Sequence, residues 1–473
     1  MLSRRIEQRS SPAPAPASAD TIAAIATAPG QAGISIVRIS GPESWAVAER
    51  LFAGSGPRLT QRAAGTFHYG AVCSPGDAAK RCLDEVILLL FKAPHSYTRE
   101  DVVEIQGHGG RTCAARILRA ALDAGARLAE AGEFTKRAFL NGRIDLLQAE
   151  AVADLVAAKS ERAAAAAIEQ LDGHLTSLFT DSYNVGMNIA ADLEATLDFD
   201  EGELPPAVMA ELACRLTEFK ESLERIIATW GEGRLLREGA RVVICGQPNV
   251  GKSTLLNKLL GTDRAIVTDI PGTTRDTIEE ELLIDGVAIR LTDTAGLREV
   301  HCDIERQGVE RARQSIERAD VVLYVLDASQ PLQAEDGALI QSVGKAPCLL
   351  ILNKCDLGQK LTPRDLPSLA TVVCSALAGT GLDNIRREIS RFLGLHASAP
   401  PHAVISERHR SLVGAALERT REAAQHVASG REEQTVLAAN ALRVALKDLG
   451  AVTGVFYDED LLNRIFGRFC IGK

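Results

Sequence analysis

Apolar residues along this chain change period from one region to the next. Over residues 21–39 two short apolar runs, IAAIA and ISIVRIS, lie either side of the turn formers Pro29, Gly30 and Gly33, which predicts two strands. Residues 86–91 and 102–105 repeat the strand pattern around Pro94, and helical spacing appears over 45–51 and 113–122. Residues 20–134 therefore read as an α+β domain. Beyond Phe134 the spacing becomes that of long helices, with Ile144, Leu147, Ala151, Leu155 and Ala158 on one face and Ile168, Leu171, Leu175 and Leu178 on another. Pro205-Pro206 interrupts this bundle, and a further helix is expected to end near Gly231, Gly233 and Gly239. Continuous apolar runs of strand length then alternate with helices, and helical spacing returns over 412–417 and 437–449. The simplest organisation is an α/β domain, residues 237–394, inserted into a helical one formed by 135–236 and 395–473. Residues 1–19, with PAPAPAS, read as a disordered tail.

Composition adds limits. The 473 residues suggest roughly three domains at about 150 residues each. With 46% hydrophobic and 24% charged residues and no apolar run of about 18, the chain reads as soluble and globular rather than membrane-spanning. A net charge of −9 confines nucleic-acid contact to a local basic patch. Ten cysteines lie without C-x-x-C pairs, and Cys245 and Cys374 end apolar strands, so reduced thiols in a cytoplasmic protein are expected. Glu7 and the prolines of the first residues oppose a transit peptide.

The inserted domain carries the chemistry. RVVICGQPNVGKST, residues 241–254, places Gly246, Gly251, Lys252 and Ser253 as G-x-x-x-x-G-K-S directly after an apolar strand. Glycines at these positions let successive amides converge on phosphate oxygens at a helix start, whose dipole favours negative charge. Asn249, Val250, Gly251, Lys252, Ser253 and Thr254 are the expected contacts, with Lys252 on the outer phosphates and Ser253 on magnesium. The polar stretch TDIPGTTRD supplies Thr268, Asp269, Ile270, Pro271, Gly272, Thr273 and Thr274, the last a second magnesium ligand. Asp285-Gly286 between two apolar runs predicts a type I′ hairpin leading to Asp293, Thr294, Ala295 and Gly296, where a strand-end carboxylate and a glycine amide can sense the terminal phosphate. Asn353, Lys354, Cys355 and Asp356 follow another apolar strand. The Asp356 carboxylate can accept from both the ring N–H and the amine of guanine, a donor pair that adenine lacks, so the nucleotide is GTP. Ser375, Ala376 and Leu377 fit a second guanine loop. In the first domain, Arg38, Glu104 and His108, taken singly, read as polar residues on a solvated strand face or turn, with residues 106–110 as a glycine-rich turn opening a helix.

These stretches together resemble the TrmE (MnmE) family of bacterial tRNA modification GTPases. The resemblance rests on DTIAAIATAPGQAGISIVRISGP, EIQGHGG, AGEFTKRAFLNGRIDLLQAEA, TDIPGTTRD, DTAGLRE and the closing FCIGK, and spans all but the first 19 residues. It implies a GTPase working with an FAD- and NADH-dependent partner, as a homodimer within a heterotetramer, to install an aminomethyl-type (carboxymethylaminomethyl) group on carbon 5 of the wobble uridine of certain tRNAs. A tetrahydrofolate, in the 5-formyl or methylene form, is the implied one-carbon source. Arg38, Glu104 and Lys473 match family positions that contact the folate, and Arg143 stands where a close relative has a folate-contacting lysine. Leu297 stands where many small GTPases carry a water-orienting glutamine and cannot orient water; the resemblance implies that an acidic residue farther along this switch does so, and the matching residue is Glu305, otherwise one charge on a solvated helix. Potassium is implied between the phosphates, held by Asn249, Thr268, Ile270 and Thr273. Cys470 has no neighbouring His or Lys in sequence to lower its pKa and is not assigned as a nucleophile. The rival reading is a GTP-driven RNA-binding ribosome assembly factor without one-carbon chemistry, which would carry an appended module such as a KH fold; none is found.

Overall fold

The computed structural model describes residues 20–75, 81–197, 206–261, 279–293, 314–333, 336–337, 340, 347–395, 405–429 and 432–473. Two compact units divide the chain, one formed by residues 1–153 and 449–473, the other by 154–448. The expected tail, residues 1–19, lies outside the described residues.

The first unit is a seven-stranded sheet. In chain order its elements are β1 (Ile22–Ile25), β2 (Ile34–Ser40), α1 (Ser44–Leu51), β3 (Phe52–Ala53), β4 (Phe67–Cys73), β5 (Cys82–Phe91), β6 (Val102–His108), α2 (Arg111–Asp123), β7 (Arg127–Leu128), α3 (Glu133–Leu140) and α4 (Leu146–Ala157). The strand order is β3-β4-β5-β6-β2-β1-β7, antiparallel except for the β1–β7 pair. Alternation along the strands sends Val37, Ile39, Val86, Leu88, Val103 and Ile105 to one face. There they meet Val47, Leu51 and Ile117 of α1 and α2 in a single core. The opposite face carries the row Leu89, Glu104, Arg38 and Ala24, in register across four strands. The closing helix, Glu459–Phe466, packs Leu462, Ile465 and Phe466 on Leu146 and Ala149 of α4.

Residues 106–108, read above as part of a turn, continue β6. The ladder to β2 extends through Gly107 opposite Ser35 and His108 opposite Ile34, and Asp84 binds the end of the strand.

The second unit combines helices with a second sheet. Its elements are α5 (Glu161–Leu171), α6 (His174–Thr196), α7 (Pro206–Ala228), α8 (Trp230–Glu238), β8 (Ala240–Cys245), α9 (Lys252–Leu260), β9 (Glu279–Ile284), β10 (Val287–Asp293), β11 (Val321–Asp327), β12 (Cys348–Asn353), β13 (Thr371–Val373), α10 (Leu382–Phe392), α11 (Glu407–Ala428) and α12 (Glu432–Thr453). The sheet runs β13-β12-β11-β8-β10-β9 and is parallel apart from the β9–β10 hairpin. Parallel strands covered on both faces must be apolar throughout. Each of the first six residues of β11 and every residue of β12 is buried, with Leu323, Leu349 and Ile351 in one core and Tyr324, Leu350 and Leu352 in the other.

Two helical expectations change. Ile168, Leu171, Leu175 and Leu178 do not share one helix, because Asp172 caps α5 and Gly173, at φ 88°, starts α6; Ile168 is left 49% exposed. Gly231 and Gly233 lie inside α8 rather than ending a helix, and Gly239 closes it with φ 76°. Among the described residues no helix is long and apolar enough to cross a membrane.

Candidate functional site

Strand β8 ends at Cys245, flanked on both sides by parallel neighbours, so the loop after it opens at the carboxyl edge of the sheet. Register brings Asp293, the last residue of β10, opposite Ile244. The loop backbone enters the left-handed region at Asn249, φ 60°, and Gly251, φ 98°. Gly251 precedes the first turn of α9, and a side chain there would place its Cβ 2.3 Å from the Asn353 amide nitrogen. Lys252, only 6% exposed, donates from Nζ to the carbonyls of Gly246 (3.1 Å) and Gln247 (2.7 Å), so its ammonium lies against the loop it starts from. Ser253 and Thr254 are exposed on the first turn of α9.

Asn353 ties this loop to the two stretches assigned to the base. Its Nδ2 donates to the carbonyl of Val250 at 2.8 Å, and its Oδ1 accepts from the amide of Ala376 at 2.9 Å and from the Cys374 thiol at 3.6 Å. An asparagine 2% exposed is thus satisfied at both ends of its amide, as a buried polar group requires. Lys354, at φ 62°, turns the chain so that its Nζ reaches Asp327 Oδ2 at 2.7 Å. Asp327 also accepts from the amide (2.9 Å) and hydroxyl (2.6 Å) of Ser329. Burial pushes the Asp327 carboxyl up, but Lys354 and Ser329 outweigh it and hold the pKa below the usual range. Asp356 is exposed in the short helical turn Cys355–Leu357, leaving its carboxylate accessible. Ser375 is 1% exposed and accepts from the Ala378 amide at 3.1 Å, which shapes the second loop; Leu377 is 74% exposed.

This order of elements, a phosphate loop on β8, a strand-end aspartate on β10 and, after β12 and β13, the loops that carry the stretches assigned to the base, is the order expected of a guanine-nucleotide domain. The comparisons reach over nearly all of the chain. The GTP-binding protein TrmE N-terminus family matches residues 21–143, and the MnmE helical domain family matches residues 146–470. Over 472 residues the chain is 45% identical to the tRNA modification GTPase MnmE of Moorella thermoacetica, covering 96% of this chain and 99% of that one. The MnmE of Chloroflexus aurantiacus is 44% identical over 461 residues, covering 96% and 100%, and that of Levilactobacillus brevis 41% over 462 residues, covering 96% and 98%. The chain belongs to the MnmE family of tRNA modification GTPases. Membership of the MnmE family makes it a GTP-binding, GTP-hydrolysing enzyme of tRNA modification.

Within the first unit of this MnmE-family chain lies a second cluster. Arg38 Nε and Nη2 both donate to Glu104 Oε1 at 2.8 Å, across directly paired residues of β2 and β6. The Arg38 guanidinium lies 5.2 Å from the Tyr97 ring centre and 5.6 Å from that of Phe134, while Arg143 lies 4.8 Å from Tyr97 and donates to its carbonyl at 2.9 Å. Tyr97 is therefore the floor on which both arginines rest, its hydroxyl bonded to Thr135 at 2.9 Å. The closing segment reaches the same sheet. Ile471 bridges Ala131, and Gly472, at φ 102°, sits so close to β1 that an added Cβ would lie 2.1 Å from the Ile25 carbonyl. Ile25 pairs with Val37, next to Arg38, and Lys473 follows half-buried.

Thr268, Asp269, Ile270, Pro271, Gly272, Thr273, Thr274, Thr294, Ala295, Gly296 and Glu305 lie outside the described residues, and of Asp293 only the backbone is described. Sequence reasoning missed Asp327 and Tyr97. Asp327 ends the apolar run VVLYVLD as Asp293 ends its own strand, a parallel that could have found it. Tyr97, in an irregular segment after Pro94, carries no periodic signal. His108, read as a turn residue, holds Asp84 Oδ1 through Nδ1 at 2.6 Å; this hydrogen bond and the Asp84 charge raise its pKa.

Proposed function

We propose that the chain couples GTP hydrolysis to the addition of an aminomethyl-type (carboxymethylaminomethyl) group at carbon 5 of the wobble uridine of certain tRNAs, using a tetrahydrofolate one-carbon unit and an FAD- and NADH-dependent partner. FAD belongs to the partner, and the working form is a cytoplasmic homodimer joined to it as a heterotetramer. The observation that carries this reading is the close approach of Gly472, in the closing segment 470–473, to Ile25 of β1, the strand paired with the one that bears Arg38. Two arginines resting on one aromatic ring beside a strand carboxylate suit a flat heteroaromatic ligand with acidic groups. Arg38, Glu104, Arg143 and Lys473 are its assigned contacts. Removal of residues 470–473 is expected to abolish wobble-uridine modification, read by mass analysis of tRNA nucleosides, and to leave phosphate release from GTP largely intact. Modification that survives while hydrolysis fails would assign the segment to the GTPase cycle instead.

In the nucleotide site the residues of the phosphate loop hold the phosphates and Asp356 the guanine edge. Ser253, exposed at the second position of α9, offers the hydroxyl oxygen that a hard cation such as magnesium prefers, with Thr274 as its companion. Asn249 offers an amide oxygen, which suits potassium, with Thr268, Ile270 and Thr273. These cations supply positive charge against the charge that builds up between the outer phosphates during hydrolysis. Glu305 orients the attacking water. Glu305→Ala is therefore expected to leave GTP affinity near normal and to slow single-turnover hydrolysis by about 10²-fold or more; an undiminished rate would overturn the catalytic assignment of Glu305.

A further inference from the structure

Four described cysteines lie in or beside the second sheet. Cys245, Cys348 and Cys374 are buried, and Cys355 is half-buried. Cys355 and Cys374 stand in the two stretches assigned to the guanine base, the first next to Asp356 and the second next to Ser375. The Cys355 amide donates to the Cys374 carbonyl at 3.2 Å. With ordinary bond lengths this contact brings the two Cα atoms within about 7 Å, against the roughly 4.4–6.8 Å that disulfides span. The Cys374 thiol already has a polar partner, since it donates to Asn353 Oδ1 at 3.6 Å. Asn353 is the residue that binds the phosphate loop through Val250 and the second base loop through Ala376.

We propose that Cys355 and Cys374 are a peroxide-sensitive thiol pair whose reversible disulfide switches off guanine-nucleotide binding. The inference rests on the reading of Asp356 as the guanine contact. Cys355, the one with access to solvent, reacts first. Its sulfur attacks a hydroperoxide, the O–O bond breaks, and a sulfenic acid forms with release of an alcohol, or of water where the oxidant is hydrogen peroxide. The Cys374 sulfur then attacks the sulfenic sulfur, the S–S bond forms, and the departing hydroxide takes the Cys374 proton and leaves as water. Cys374 cannot begin the sequence, being fully buried, with burial first and the neighbouring Cys355 second pushing its thiol up to about 12. Cys245 and Cys348 are both buried, so neither offers an accessible first thiol.

The disulfide removes the Cys374 thiol from Asn353 and draws the Cys355–Leu357 turn toward β13, carrying Asp356 off the base edge. Reduction by a dithiol reverses it.

The test treats the reduced full-length chain with hydrogen peroxide, blocks residual thiols, and reads both disulfide mapping by peptide mass and GTP affinity by fluorescent-nucleotide titration. The expected result is a cross-linked Cys355–Cys374 peptide lighter by two hydrogens, with affinity reduced by at least about tenfold, as loss of a charged hydrogen-bonding arrangement implies, and restored by dithiothreitol. In Cys355→Ser and Cys374→Ser, each compared with its own reduced state, peroxide should leave affinity unmoved. Cys374 recovered as a free thiol after oxidation, or a disulfide formed with affinity unchanged, overturns the proposal. Failure of the reduced chain to prefer GTP over ATP would instead overturn the base assignment, and the peptide map remains readable in that case.

Discussion

Asn353 shows how much one side chain can hold. Its amide spans the phosphate loop, the end of β12 and the start of the second base loop, and both of its polar atoms are buried and bonded. Asp356, three residues on, is the opposite case, exposed and ready for a ligand. On the proposed reading of Asp356 as the guanine contact, the two residues separate stability from recognition within one motif. Asp356→Asn replaces an acceptor with a group that also donates, and is expected to weaken GTP binding by about 1.5 to 3 kcal/mol with no change in thermal unfolding of the free protein. Titration with a fluorescent nucleotide measures the first and a melt the second, and unchanged affinity would refute the guanine assignment. Lys354, between them, is held like Asn353, its ammonium paired with Asp327.

Among the elements, the β9–β10 hairpin links the nucleotide site to the helices of its unit. Asp285 and Gly286 take φ 48° and 77° at the turn, and β10 runs from there to Asp293 beside the phosphate loop. Arg162 of α5 binds both the Asp285 carbonyl and Glu232 of α8, and Lys159 binds Glu281 of β9. Arg162→Ala should therefore loosen the hairpin, with faster amide exchange in β9 and a loss of about 1 to 2 kcal/mol in stability, given its partial burial. Exchange unchanged across residues 279–293 would show that the hairpin holds without α5. The hairpin was legible in the sequence because Asp-Gly between two apolar runs admits few other turns. The phosphate loop and base motif were legible for a similar reason, each being a short string after a buried strand. Strand β4 was not, since its outward residues Phe67 and Tyr69 are apolar yet 74% and 68% exposed, which erases the alternation. The break between α5 and α6 was hidden by apolar residues that continue at helical spacing across Gly173. The Arg38–Tyr97–Arg143 cluster depends on pairings across distant segments that no local pattern encodes; only the family resemblance pointed to Arg38 and Arg143.

On the scale of the whole molecule, the first unit is built from the two ends of the described chain: Gly472 closes onto β1, a strand laid down at the beginning, and Ile471 bridges Ala131. Gly472 makes that closure close-fitting. Gly472→Ala puts a methyl group against the Ile25 carbonyl at a backbone angle that alanine disfavours by about 1–2 kcal/mol. The segment should detach, and binding of a tetrahydrofolate by the purified protein should weaken while GTP turnover persists. Equal folate affinity in the two proteins, by calorimetry, would separate the segment from the ligand.

The same closure sets a timetable for synthesis. Between Ile25 of β1 and the sealing residue Ile471 the ribosome must add roughly 445 residues, the whole second unit among them, which at about 5–20 residues per second takes on the order of 20 to 90 seconds. During that interval the nascent sheet lacks the contact of Ile471 with Ala131 and of Gly472 with Ile25. On the proposed role of that segment, messages truncated late in the reading frame would release a product whose GTPase strands are all present while its first sheet was never sealed, a fragment expected to consume GTP without serving tRNA.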